Sequence, residues 1–306
     1  MRELADLLLE SMVERDPGIV PWADRYAVTV NSVPGAPGML SSWRTVTGVN
    51  RVGQYVVDPV LGQVFVTASL DEGGMPVTFW ARLKVEDGRV GEAELSHVRA
   101  RADGGFVMLA EEIGTYPAGW TSEIPAGGRA TRDELERLGR AVFDDSLTGP
   151  EPSDDCLLME LGGVVLEDPD YIDLLMTGEL HGGTDREKTS MKAGLMPVRP
   201  YDPDARIVAI DEEQGIVVVT GLVPGFTSPY VVRDANESCF VPAAMIEQHR
   251  RTLRGDWARG RRVVEELPAT AVSTHVLRLH SGMLQGLHMF NCLTAAGGRS
   301  PWHDRT

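Results

Sequence analysis

Few cysteines, no long apolar run and a shortage of basic residues exclude much before any motif is sought. The 306 residues hold three cysteines, Cys156, Cys239 and Cys292. They are scattered, odd in number and lack CxxC spacing, so a disulfide framework or a cysteine zinc site is not expected. No apolar stretch approaches the roughly 20 residues of a membrane helix. The opening MRELADLLLESMVERD carries acids within its apolar stretch and lacks a small-residue cleavage site, so it reads as an amphipathic helix rather than a leader. Lysine and arginine total 29 against 45 acids, a net charge of −16, which disfavours nucleic acid and anionic membrane surfaces as partners. GxGxxG after a strand, the P-loop, GxSxG and HExxH are all missing. The expectation is a cytoplasmic protein without nucleotide, flavin or metal, working as a monomer or homodimer.

What the chain does have is a repeat. VDPVLGQVFVT at Val57–Thr67 returns as IDEEQGIVVVT at Ile210–Thr220, a constant offset of 153. Asp58/Asp211, Gly62/Gly215, Val64/Val217, Val66/Val219 and Thr67/Thr220 are identical. In each copy an acidic turn closes at glycine and enters a β-branched strand. A second echo follows: LKVEDGRV at Leu83–Val90 answers LRLHSGML at Leu277–Leu284, strand, turn and strand again. Two such copies imply a duplicated domain. The length suits two domains, each with its own core.

Along the chain, Leu4, Leu7, Leu8 and Met12 fall on one face of a first helix over about Glu3–Glu14, stopped by Asp16-Pro17-Gly18. A strand over Tyr26–Asn31 follows, then loop and a short helix within Ser41–Tyr55, then the repeat strand to about Leu70. In Val77–Val85 the face Val77, Phe79, Ala81, Leu83, Val85 opposes Thr78, Trp80, Arg82, Lys84, and Val90–Arg101 closes the meander. Helices first and antiparallel strands last give an α+β class. The first domain is placed at 1–118, a Pro/Gly-rich linker at 119–130 and the second domain at 131–306. Thr131 to Glu134 is a capping box opening a second amphipathic helix. A strand is expected at Cys156–Val165 and a helix at Asp168–Leu180. Insertions are expected near 181–203 and 224–267, the latter with a helix over about Pro242–Leu253.

WRTVTG at Trp43–Gly48, PVTFWARLKVEDGRVGEAEL at Pro76–Leu95 and DDCLLMELGG at Asp154–Gly163 resemble tandem SnoaL-like domains, of the ketosteroid-isomerase-like or nuclear transport factor two superfamily. The resemblance covers most of the chain. It implies two cone folds, each a curved antiparallel sheet with helices on its concave side, packed as an internal pseudo-dimer with one pocket per cone. Family members carry a Glu-Asn-Gly run after the second helix of each half. Here the first copy reads Val30-Asn31-Ser32, without the acid, and the second Glu160-Leu161-Gly162, with it.

Alternation of strand faces then picks the polar residues of each cone. His97 shares a face with Ala93 and Leu95, and a titratable group on an apolar wall can serve as general acid or base. A core histidine satisfied by the backbone is the alternative. Aligning Gly88 with Gly282 sets Asn291 against His97 and His275 against Ala81. His275 with Glu160 would make an acid–base couple and Asn291 a donor to an oxyanion; the alternative is a structural histidine and a solvated glutamate. Tyr55, Trp43, Asn31 and Tyr171 are the expected substrate contacts. Asp58 and Asp211 read as turn caps, and Trp80 with Arg82, on the opposite face, as an interface to the other copy. Six arginines between Arg250 and Arg262 form a basic island, a solvated surface or an anion site. The expected function is cofactor-independent acid/base chemistry on a hydrophobic, oxygenated small molecule in secondary metabolism: cyclisation, isomerisation, dehydration or epoxide opening. The alternative is a non-catalytic ligand-binding or assembly module.

Overall fold

The computed structural model describes residues 1–99, 110, 113–116, 118–144, 146–147, 149–159, 201–232, 235–243 and 267–302. The first half opens with helix α1 (Arg2–Val13), whose Leu8, Leu9 and Met12 turn inward. Strand β1 (Trp22–Val30) follows, then the two-residue β2 (Val33–Pro34) and the short helix α2 (Ser42–Thr45). A meander completes the half: β3 (Gly48–Asp58), β4 (Gln63–Glu72), β5 (Met75–Glu86) and β6 (Arg89–Val98). The sheet order is β2-β1-β6-β5-β4-β3, with β1 running parallel to β6 and the meander antiparallel. Register shifts in β3 and between Lys84 and Val85 bend the ladder.

Strand alternation sends Val64, Val66, Ala68 and Leu70 of β4, Val77, Phe79, Ala81 and Leu83 of β5, and Ala93 and Leu95 of β6 to one face, where they meet Leu8, Met12 and Trp43. The face read from the sequence is the inner face. Residues Gly48–Tyr55, expected within the loop and short-helix segment, form most of β3. Asn50, Arg51 and Gln54 gave that stretch no apolar alternation because it is an edge strand, with Arg51 in the open.

The connection contains helix α3 (Ala118–Thr121) and a 3₁₀ turn (Ala126–Gly128), and buries Trp120 and Ile124. Helix α4 (Arg132–Ala141) starts at the Thr131/Glu134 capping box and presses Leu135 and Leu138 inward. Strands β7 (Pro152–Met159), β8 (Arg206–Asp211), β9 (Ile216–Val232), β10 (Ala235–Pro242), β11 (Leu267–His280) and β12 (Met283–Ala295) build the second sheet. Its order is β10-β9-β11-β12-β7 with β8 also on β9, and β7 is parallel to β12 as β1 is to β6. The expected insertion at 224–267 therefore starts as sheet: β9 runs on through Pro224 and Pro229, paired to β10 and β11. The expected helix over Asp168–Leu180, the 181–200 stretch and the basic island lie outside the described residues, as does the proposed helix beyond 243.

The two sheets face each other through their outer sides. Phe65, Trp80 and Val56 of the first pack on Ile216, Val218, Val276 and Phe290 of the second, and the Trp80 and Phe290 rings lie 5.2 Å apart. Trp80 and Arg82 thus serve the interface, as their strand face implied.

The repeated turns register this packing. Asp58 caps its own turn through the amides of Val60 and Leu61 and accepts from the Ile210 amide of the other copy at 2.9 Å. Asp211 caps with Gln214 and accepts from the Val57 amide at 3.4 Å. Val57 and Ile210 are repeat equivalents, so the exchange is reciprocal about a pseudo-twofold axis. Gly62 and Gly215 both sit at φ 62°, and each carbonyl accepts from the meander, Val85 and Leu279 respectively, at 2.7 Å. A Cβ on Gly215 would lie 2.4 Å from the Leu279 carbonyl oxygen, so only glycine fits.

Candidate functional site

The inner faces of the two cones hold the expected histidines. His97 is fully buried, its Nε2 is 2.8 Å from Ser42 Oγ, and its Nδ1 is 3.8 Å from Glu72 Oε1. Phe79 meets the imidazole edge-on at 5.0 Å. Burial, with a smaller push from Arg99 and against the pull of Glu72, lowers the His97 pKa to about 4. The Glu72 carboxylate resists its own burial because Arg99 and Thr45 hydrogen-bond it, which keeps it below the usual range. Serine, imidazole and carboxylate stand in line, yet Ser42 is as buried as His97. Trp43, 2 % exposed, fills the space beside them and donates to Ser11 Oγ at 3.0 Å. Asn31, in a left-handed backbone conformation (φ 48°), clamps the His97 backbone, donating to its carbonyl at 3.0 Å and accepting from its amide at 2.8 Å. Leu8, Met12, Phe79, Ala81 and Leu95 are buried in the same core cluster as Trp43.

In the second cone the alignment of copies holds residue by residue. Ala81 pairs across β4 with Val66, and His275 pairs across β9 with Val219, the repeat partner of Val66. Likewise Phe79 faces His97 in register and Ser273 faces Asn291. His275 is 1 % exposed, its Nε2 bonds Ser273 Oγ at 2.8 Å, and Phe143 meets its ring at 5.3 Å. Its Nδ1 has no hydrogen-bond partner among the described residues, and burial alone drives its pKa to about 3. Asn291 is 6 % exposed on β12. Glu160 and Tyr171 lie outside the described residues.

The remaining substrate candidate, Tyr55, leads elsewhere. It lies on β3 where the two copies meet, donates its hydroxyl to Asp6 and has the Arg2 guanidinium 5.8 Å from its ring centroid. Burial first, and then Asp6, push its phenol pKa up. Beside it opens a cavity of about 470 Å³ in the seam between the copies. Gln54 and Gln214 line one side, with Gln214 Nε2 donating to the Tyr55 carbonyl at 2.8 Å. Tyr116 and Trp120 line another, their rings 6.2 Å apart, and Trp120 donates to Gln54 Oε1 at 3.1 Å. Arg278, Arg129 and Arg2 supply positive charge to the wall, and Glu123 and Glu213 negative. A volume of that size, with aromatic walls and convergent amide groups, suits a small organic ligand. Sequence reasoning named only Tyr55 of this set. The signal for Arg278 was its position, a lone guanidinium on the Val272, Thr274, Val276 face of a strand with no other Arg, Lys, Asp or Glu.

Among the described residues no cluster of three His, Cys, Asp or Glu side chains could hold a metal, and no helix is long and apolar enough to cross a membrane.

No protein-family model and no curated protein matches the chain. Solved structures do, each over about a third of it. An NTF2-like protein of unknown function from Cytophaga hutchinsonii is 8 % identical, with 32 % of this chain on 88 % of that one and a TM-score of 0.27. A polyketide cyclase candidate from Sinorhizobium meliloti is 17 % identical, with 30 % on 93 % and 0.26. A ketosteroid isomerase candidate from Kribbella flavida is 17 % identical, with 32 % on 78 % and 0.27. By its own strand order, helix placement and reciprocal turns, the chain is a tandem of two α+β units, each a bent sheet with a helix packed on its inner face.

Proposed function

We propose that the protein binds a small organic molecule in the seam between its two cones, the cones acting as scaffold. One observation carries this. Leu8, Met12, Trp43, Phe79 and Leu95 pack the first cone, whereas the seam keeps a cavity of about 470 Å³ edged by Tyr55, Tyr116, Trp120, Gln54 and Gln214. The histidines expected to do chemistry are buried and held neutral, His97 at about 4 and His275 at about 3, so neither is poised to exchange a proton near neutral pH.

The test is a titration with N-phenyl-1-naphthylamine, an uncharged aromatic probe that fluoresces when desolvated. Saturable binding lost in Thr121→Trp, which blocks the mouth of the seam from an exposed position, and kept in His275→Ala supports the reading. Binding lost in His275→Ala and kept in Thr121→Trp would sink it.

A second reading keeps acid/base catalysis on a hydrophobic, oxygenated substrate in the second cone. It is favoured by His275, whose buried Nδ1 has no partner among the described residues and whose Nε2 bonds Ser273 Oγ, the residue opposite Asn291 in the ladder. That reading requires His275 to titrate between about pH 6 and 7.5, which imidazole NMR measures directly.

A further inference from the structure

The seam holds a buried positive charge that no anion among the described residues answers. Arg278 lies on β11 with 2 % of its surface exposed, on the wall of the seam cavity. Its Nη1 donates to the Gly119 carbonyl at 2.6 Å and its Nη2 to the Ser122 carbonyl, while its buried Nε has no partner among the described residues. Among the described residues it forms no ion pair. Taking a guanidinium out of water is strongly unfavourable unless a counter-charge is close, and carbonyl dipoles supply only part of that compensation.

Comparison with the rest of the interface sharpens the point. Arg82, 4 % exposed on the same side of the first sheet, is neutralised by Glu92 at 2.8 Å and Glu94 at 3.1 Å. Arg206 crosses the seam to Glu94 at 2.9 Å. The repeat equivalent of Arg278 is Lys84, whose side chain is 31 % exposed, within 4.0 Å of Glu86. Every other interfacial cation in this comparison has a carboxylate, and Arg278 instead has a cavity. Arg2 and Arg129 line that cavity too, against the exposed Glu123 and Glu213, which leaves the wall with more positive than negative charge. Tyr116 and Trp120 supply a flat apolar surface beside the charge.

Resting on the seam-binding reading above, we infer that the natural ligand is an organic anion: a carboxylate-, sulfonate- or phosphate-bearing molecule with a planar apolar body. Its charge is held by Arg278 with Arg129 at the rim, and its ring lies against Tyr116 and Trp120. The ligand anion takes the place that Glu92 and Glu94 take for Arg82.

The experiment compares 1-anilinonaphthalene-8-sulfonate with its uncharged analogue N-phenyl-1-naphthylamine on the full chain. The inference predicts that Arg278→Met weakens the sulfonate roughly tenfold or more and leaves the neutral probe within about twofold. Should Arg278→Met fold poorly, the exposed Arg129→Gln serves: it lowers sulfonate affinity a few-fold and steepens nothing for the neutral probe. Raising salt from about 50 to about 500 mM is also predicted to weaken the sulfonate alone. If both probes bind in a Thr121-dependent way but Arg278→Met and Arg129→Gln shift them equally, the charge inference falls and the seam stands. If neither probe shows Thr121-dependent binding, the seam reading falls as well.

Discussion

Replacing Asp58 with alanine should cost more than any other single change in the interface turns. The carboxylate is fully buried and accepts five hydrogen bonds: Val60 and Leu61 amides at 3.0 Å each, Arg132 Nη1 at 3.1 Å and Nη2 at 2.8 Å, and the Ile210 amide at 2.9 Å. Burial alone would raise its pKa. The Arg132 pair and the amides of Leu61 and Ile210 outweigh that and hold it below the usual carboxylate range. Deleting one member of a buried pair costs about 3–5 kcal/mol. Arg132, with a side chain 21 % exposed, recovers part of its hydration, which argues for the lower end. The stranded Ile210 amide adds about 1 kcal/mol or more. A loss of about 4 kcal/mol corresponds to a melting shift of roughly 8–16 °C, read by calorimetry or circular dichroism at pH 7. The pseudo-symmetric Asp211→Ala is the internal control. Among the described residues it has no arginine partner, and its cross-copy bond is 3.4 Å, so it should cost only about 1–2 kcal/mol. Equal shifts for the two variants, or no shift in Asp58→Ala, would refute the reasoning. The Asp58 contribution is present above its unfolded pKa and fades as pH falls through its depressed folded pKa, so wild type and Asp58→Asn should converge in strong acid.

Further outcomes follow from the same geometry. His97, His275 and His288 are fully or almost fully buried, with pKa values lowered to about 4, 3 and 3. A depressed imidazole pKa means the unfolded chain binds protons first. Stability should therefore be complete above about pH 6.5 and fall as pH drops towards 4, and imidazole NMR should show no titration of these three between about pH 5.5 and 8. Gly215→Ala should destabilise by about 3 kcal/mol or more through its clash with the Leu279 carbonyl, whereas Gly282→Ala, at φ 72° with nothing within 4 Å, should cost only about 1 kcal/mol. Urea unfolding separates them. Trp302, 2 % exposed, donates to Thr29 Oγ1 at 3.0 Å and lies under Arg82 at 4.7 Å, tying the end of the second half to the first. Trp302→Ala should cost about 3 kcal/mol; a change below about 0.5 kcal/mol would show that the tail does not hold the halves together.

Much of the architecture was legible because it rests on local rules. The 153-residue offset placed two turns whose aspartates turn out to cross-bond, and the Gly88/Gly282 alignment paired Ala81 with His275 as the ladders do. Alternation in β5 sorted core from interface correctly because every second side chain is buried against a different partner. What escaped was decided by tertiary pairing. β3 carries polar residues because one side of it meets solvent, and β9 passes through Pro224 and Pro229 where it is paired on one side only, to β11 and to β10 respectively. The seam was the largest omission. Its walls come from Gln54, Tyr55, Tyr116, Trp120, Gln214 and Arg278, which share no motif and are spread across both copies and the connection. The resemblance to one-pocket cones pointed attention at His97 and Trp43, whose residue types suit a pocket and equally suit the filled core they form.

The most direct test is a crystal structure of the chain soaked with 1-anilinonaphthalene-8-sulfonate. The account predicts the naphthalene ring against Tyr116 and Trp120 with the sulfonate next to Arg278. Density for the probe inside the second cone beside His275, with the seam occupied by solvent alone, would contradict it.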